Sequence, residues 1–366
     1  MADPCLPFPR IPHCVTDSGM DQSGQVTAES RLARPARKAV EAAVALALVL
    51  SVAGCGGSDT SQAPLDPASG SPVHVGGAPV AVAVGAGGVW VVDNTRGRVV
   101  RLNPGTERRI GSPIPIGPGP EAIAVGEGAA WVASGDDTVT RIDPSTGRTR
   151  QAKVEIADPA GIAAGQGSVW VTSAADATVT RIDPGTLRAV GDPIPVGNEP
   201  GDVAVGDGAA WVANTADGTV TRIDASSGEP ADPIQVADYQ VLGLCFGEDG
   251  VWVAKTDDRL AQTIEVVRVS PGSSSPDDRA AQVPAAIPVQ LAAGDGGIWV
   301  TLVGGVRPPD LTARSGRVAV IDPSAGGAAA KPLRVGDRPS GIAVGEGGVW
   351  VANAGDGTVT RIDPGA

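Results

Sequence analysis

From residue 71 onward the chain alternates short runs of β-forming residues, four to six long, with turns rich in Gly and Asp. No stretch offers ten residues at a helical period, so strands are the predicted elements throughout. One unit shows the grammar. Between Pro339 and Pro364 three runs are separated by the turns Gly345–Gly348 and Ala354–Gly357, whose residues suit hairpins. A fourth, shorter run follows in the other copies, as in Pro193–Gly197.

The unit recurs seven times. Trp90, Trp131, Trp170, Trp211, Trp252, Trp299 and Trp350 mark the copies, spaced by 41, 39, 41, 41, 47 and 51 residues. Gly stands five residues before each Trp, and Pro stands eleven before it in six copies. On the run after the Trp, Arg recurs at 101, 141, 181, 222, 268 and 361, and Asp at 143, 183, 224, 322 and 363. Four short strands per roughly 42 residues is the period of a propeller blade, whereas leucine-rich and helical repeats differ in period and strand count. The expected fold is all-β: a seven-bladed β-propeller with four-stranded blades over residues 71–366.

The ends predict how the ring shuts. The seventh copy stops after its third strand, and an orphan segment, Ser71–Gly76, precedes the first. That segment matches the outer strands Ser112–Gly117 and Lys331–Gly336, so the N-terminal strand should complete the last blade and pair both loose edges. The first strand of each unit is built of Gly, Ala and Val, which suits an innermost strand crowded around an axis. The Trp row reads as packing between blades rather than a stacking platform. Arg141 and Asp143 share a strand face, and their rows read as a repeated inter-blade pair.

The pattern from Ile342 through Trp350 to Pro364 resembles YVTN/NHL-type repeats of bacterial surface proteins. It is also similar to the seven-bladed propeller of streptogramin (virginiamycin B) lyases. The likeness spans the repeat domain but concerns scaffold, which does not give function. For an active lyase it implies a Mg²⁺ site with an essential His and Glu near the channel. His74, the only His after the leader, aligns with the outer closing strand, so acid–base chemistry of that kind has no carrier at the mouth. Val, not Asp, follows the Trp residues, which disfavours WD repeats. Seven copies disfavour the quinone-cofactor propellers, which usually have eight blades.

Other chemistry is equally thin. No Ser/His/Asp set, Cys/His cluster or phosphate loop is present, and the Gly-x-Gly-Gly turns lead into strands, not helices. The acidic turns Gly135–Asp137 and Ala216–Gly218 lack the oxygen spacing of a calcium loop and read as type I′ turns. No catalytic residue, metal ligand or cofactor is expected.

Composition adds an address. The 366 residues carry a formal charge of −13, which excludes the clustered Lys/Arg of a nucleic-acid binder and electrostatic adhesion to anionic lipid. Residues 31–54 combine a basic run, Arg31–Lys38, with an apolar stretch from Ala42 to Ala53, the pattern of a secretory signal. Leu50–Cys55 resembles the bacterial lipobox, which implies cleavage before Cys55 and lipid attachment to its thiol, with enough acyl chains for stable anchoring. Residues 1–30 fit no part of a signal and read as disordered or as an over-called start, with Met20 an alternative. Residues 55–70 read as a flexible tether reaching on the order of 20 Å. Cys245 fills a slot held by Ala elsewhere and reads as a small buried hydrophobe.

Two copies depart from the rest. From Trp to the residue closing the third strand takes 13 or 14 residues in blades 1–4 and 7, but 19 in blade 5 and 24 in blade 6. The extra residues fall between the second and third strands, on the face shared with the connections into the inner strands. They raise a lip carrying Lys255, Asp257, Asp258, Arg259, Arg307, Asp310 and Arg314, where binding residues are expected to concentrate. The reading is a monomeric, lipid-anchored extracytoplasmic propeller that binds a protein, peptide or glycan at its channel face. Its rival is a metal-dependent lyase or hydrolase.

Overall fold

A computed structural model of the chain describes residues 70–152, 154–247, 250–257, 264–277, 280–283, 287–303, 315–322 and 332–364. Their strands form seven antiparallel sheets, six of them built from strands consecutive in sequence. The expected seven-bladed propeller is the fold. In the first blade the order from axis to rim is Pro79–Gly85, Gly88–Asp93, Arg98–Leu102 and Ile114–Pro115. In blade 3 the outer position is split: Arg188–Ala189 and Ile194–Pro195 both pair with Thr178–Asp183.

Ring closure follows the expected pairing of the leading segment with the last blade. Val73 pairs Val359 and His74 pairs Thr358, so the leading segment is the fourth strand of the last blade. The amides of Val75 and Gly76 donate to the Gly357 carbonyl at 3.0 and 2.9 Å, and that of Gly70 donates to Arg361 O at 2.9 Å. Arg109 of blade 1 clamps the strand from the other side, donating to the carbonyls of His74 and Val75. Around the axis the inner strands neighbour one another in sequence order, and Pro79–Gly85 lies beside Pro339–Gly345.

The recurring residue types each have a mechanical cause. Two residues with positive φ, Glu127 and Gly128 in blade 2, make the first hairpin a type I′ turn, and Ala86–Gly87 and Glu346–Gly347 repeat it. The acidic turn in blade 2 differs from its expected type I′ form. Only Asp137 there has positive φ, and its amide donates to Ser134 O at 3.1 Å, so a tight turn is followed by one left-handed residue. The Trp side chains are 0–6% exposed and sit in the clusters between sheets, as packing residues. The indole N–H of Trp90, Trp131, Trp170 and Trp299 donates to the carbonyl of the Gly five residues earlier.

That Gly also receives the next blade. A Cβ built at Gly165 would lie 2.7 Å from Val205, at Gly294 2.7 Å from Val344, and at Gly345 3.1 Å from Val84, the last contact crossing the ring closure. Each inner strand thus drops a side chain into the hollow left by the previous blade's missing Cβ. At Gly206 the occupant is the Phe246 ring.

The Arg and Asp rows correct the sequence reading. Arg101, Arg141, Arg181, Arg222 and Arg361 lie over the Trp ring of their own blade, 4.7–5.9 Å from its centroid. Each Trp is paired directly with that Arg across the strands, as Trp131 is with Arg141, so the guanidinium has only to fold back onto its neighbour. Asp143 instead caps its own turn, accepting from the amides of Ser145 and Thr146 at 3.0 and 2.9 Å. Asp183 and Asp224 do the same. Hydrogen bonds from Ser145 and Thr146 hold Asp143 well below the usual carboxylate range. Arg361 is the copy that does meet its Asp, at 2.8 Å from Asp363 within one blade.

Candidate functional site

The connections on the two ends of the ring have different contents. Those between second and third strands bond to those entering the inner strands, which places both sets on one face. Asp217 accepts the Asn198 amide at 2.7 Å, Asp257 that of Asp238 at 2.8 Å and Asp356 that of Asp337 at 2.9 Å. Asp137 accepts the amide of Asp158 in the following blade at 3.0 Å. This face therefore carries many carboxylates, each tied into backbone that shapes the rim.

Lys255 and Asp257 stand on this face at the root of the blade 5 connection. Lys255 Nζ lies 2.6 Å from Asp257 and 3.4 Å from Glu265. It fills a slot that is buried and polar in five other blades and Leu302 in blade 6; Asp93 there meets Arg98 at 2.9 Å, and Asn353 donates to Thr358 and Thr360. Burial pulls the Lys255 pKa down, but the two carboxylates outweigh it and leave it raised. Burial pushes Asp257 up, and Lys255 with the Asp238 amide brings it below its ordinary value. The pair is thus engaged within the blade. Asp258, Arg259, Arg307, Asp310 and Arg314 lie outside the described residues, as does Cys55. The long connections do fall between second and third strands, after Gly250–Thr256 and after Gly297–Val303.

At the axis lies a cavity of about 460 Å³, lined by the inner strands of all seven blades. Its side chains are mostly aliphatic, Ala81, Val82, Ile123, Ile162, Val203, Leu244, Leu291 and Ile342 with Phe246 at one side, while polar atoms make up more than half of the exposed wall. Two side chains bring strong polarity, Asp202 and Gln290. Both occupy the second position after the entry proline, or its equivalent, a slot held by Ala81, Ala122, Gly161, Gly243 and Gly341 elsewhere. The slot falls in a register shift, between Pro200 and Val203 in blade 4 and between Pro288 and Leu291 in blade 6. An extra residue there leaves the ladder and re-aims its side chain.

The two side chains use the slot alike. Asp202 Oδ2 accepts the Leu244 amide of the next blade at 3.2 Å, and its Oδ1 accepts the Val203 amide at 2.9 Å. Gln290 Oε1 accepts the Ile342 amide of the next blade at 3.3 Å. Burial pushes Asp202 up to about 6, and the two amides only partly oppose it. The neighbouring Cys245 thiol is pushed up further, by burial and then by the Asp202 charge, so it stays protonated. Cys245 is the buried small residue expected, at 7% exposure, but it also faces the cavity. Sequence reasoning missed Asp202, although the signal was there: it is the one acidic residue in an inner-strand slot otherwise held by small residues and one amide.

The donor set does not fit the metal site that the lyase resemblance implies. Asp202 is the single carboxylate among the cavity's lining residues, no His is among them, and His74 is exposed on the outermost strand. Among the described residues no three His, Cys, Asp or Glu side chains are grouped to hold a metal ion.

Solved structures share the fold. Virginiamycin B lyase from Staphylococcus aureus matches with a TM-score of 0.63 at 17% identity, over 80% of this chain and 98% of that one. A Kuenenia stuttgartiensis hydrazine synthase matches with 0.64 at 16%, over 84% and 99%. The WD40 repeats of RRP9 match with 0.63 at 9%, over 80% and 97%. No family model matches the chain, and no curated protein matches it. Neighbours this diverse, enzymes and repeat scaffolds alike, establish the propeller and nothing about its ligand.

Proposed function

We propose that this chain is a binding propeller, held by lipid on Cys55 at the outer side of a bacterial membrane, that captures a protein, peptide or glycan on its loop-bearing face. One observation carries the reading: departures from the sevenfold repeat gather at that face and its channel. The long connections of blades 5 and 6 leave from it, Lys255 and Asp257 stand at the root of the first, and Asp202 lies at the entry end of an inner strand. The Trp, Arg and Asp rows, by contrast, are taken up by packing between blades, contacts with the next blade and turn caps. A rigid ring with variable loops is the usual geometry of a recognition surface.

The test replaces residues 257–263 and 304–314 with turns as short as Asn94–Gly97 of blade 1. The altered full chain should keep its fold and lose the ligand that wild type retains in pull-down. Equal capture by both removes the loop reading. Cys55→Ala should move the chain from the membrane to the soluble fraction.

A metal-dependent lyase or hydrolase is favoured by one observation, a channel carboxylate with a pKa of about 6 on a lyase-like scaffold. Incubation with virginiamycin B and Mg²⁺, followed by chromatography and tandem mass spectrometry, decides it: elimination opens the ring without changing the mass and hydrolysis adds a water, so unchanged retention and fragmentation sink that reading.

A further inference from the structure

Gln290 and Asp202 do the same structural work in blades 6 and 4, each reaching from the bulge slot to an amide of the next inner strand. The comparison isolates what is odd about Asp202. An amide oxygen makes this bond without charge, and five blades make no such bond through a side chain in that slot, since Ala or Gly holds it. A carboxylate there costs desolvation that neither neighbour repays. No described cation pairs with Asp202, and only backbone amides oppose the effect of its burial. The inner strands packed against it present Gly161 and Ile162 from blade 3, Leu244 and Cys245 from blade 5, and Leu291 from blade 6. None of these is charged, and the Cys245 thiol is held neutral. A carboxylate that faces this cavity with no described cation beside it is open to a counter-charge from a ligand.

We propose that the axial cavity around Asp202 binds a small organic cation, a protonated amine carried on an apolar body. The cavity's volume, about 460 Å³, is within the range of small-molecule pockets, and its aliphatic side chains with Phe246 suit the body. One carboxylate supplies one charge, each of its oxygens keeping an acceptor site beyond the bond to Val203 or Leu244. A hard metal ion is a poor fit, because it needs several oxygens where this cavity offers one carboxylate and one amide. The approach is also electrostatically matched. Asp202 lies at the entry end of its strand, below the face carrying Asp158, Asp217, Asp257, Asp337 and Asp356, which would concentrate cations at the mouth. This pocket is separate from the macromolecular capture proposed for the loops, and either stands without the other.

The experiment titrates the full chain with phenethylamine, whose amine stays protonated across the range used, against neutral phenethyl alcohol and anionic hydrocinnamate. Wild type at about pH 7.5 should bind the amine at least about tenfold tighter than the alcohol and should not bind the acid. Lowering the pH to about 5 protonates roughly nine-tenths of a carboxyl with a pKa near 6, so amine affinity should fall about tenfold while alcohol affinity stays fixed. Asp202→Asn, which keeps an acceptor for Leu244 as Gln290 shows is possible, should bind amine and alcohol equally and melt no lower than wild type. Gln290→Glu provides a second variant, adding a charge two blades away and strengthening amine binding. The proposal is overturned if the amine does not bind, if the alcohol binds as well as the amine, or if Asp202→Asn leaves the preference intact.

Discussion

The Gly five residues before each Trp bears the ring's assembly more directly than the Trp itself. Its lack of a Cβ makes the hollow into which the next inner strand packs, so a methyl group there meets a neighbour that cannot retreat. Gly165→Ala places its Cβ 2.7 Å from Val205 and should cost about 1–3 kcal/mol in chemical denaturation. At Gly206 the obstacle is Phe246, which can be trimmed. Gly206→Ala should therefore destabilise wild type clearly but cost much less in a Phe246→Ala background, a coupling that a double-mutant cycle would measure. Additive effects would mean that the two residues do not share the space.

At the scale of elements, the closing strand is a short pairing that shuts the ring. It is two residues long by ladder, Val73–His74, yet it covers the outer edge of the last blade and brings fully buried Val75 into the cluster with Val89, Trp350 and Val359. A chain lacking residues 70–76 would lose that burial, the bonds at Gly357 and the Arg109 clamp. Its melting temperature should fall by about 5 °C or more, read by circular dichroism. An unchanged melting point would show that the seventh blade holds without its fourth strand. The strand and the blade it completes were both readable beforehand, because the last copy lacks what the segment before the first copy supplies. The split outer position of blade 3 was not readable, since runs of two residues carry no period.

For the molecule as a whole, pH acts through opposed sets of carboxylates. Asp202 has a folded pKa of about 6, above its unfolded value, so it binds its proton more tightly in the folded state. Its contribution is fully present below the unfolded pKa and is lost as pH rises through about 6. The loss amounts to at most about 3 kcal/mol, from roughly two pKa units. Asp143 and Asp224 shift downward and act the other way, stabilising the ring above the ordinary carboxylate range and failing in acid. Stability should decline between about pH 4 and 6, and Asp202→Asn should flatten that decline and raise the melting temperature near neutral pH. A variant that melts identically to wild type at both pH values would contradict the buried-charge account. Such a gain in stability from removing a charge is the usual trade at a binding site.

Sequence alone determined the number of blades, their strand order and the closure, because repetition places the same residue types in the same register seven times and only one architecture shares that period. It also assigned the Trp row to packing, since apolar neighbours on both sides leave no free face. Tertiary structure decided what the repeats do to one another. Arg lies over its own Trp, Arg101 and Arg361 also reach the next blade at the Pro144 carbonyl and at Glu107, and the Asp row serves its own turns, because side-chain reach depends on twist and distance that spacing does not encode. It likewise took seven inner strands meeting at an axis to turn Asp202, one residue in a run of small ones, into a carboxylate that faces a shared cavity with no described cation beside it.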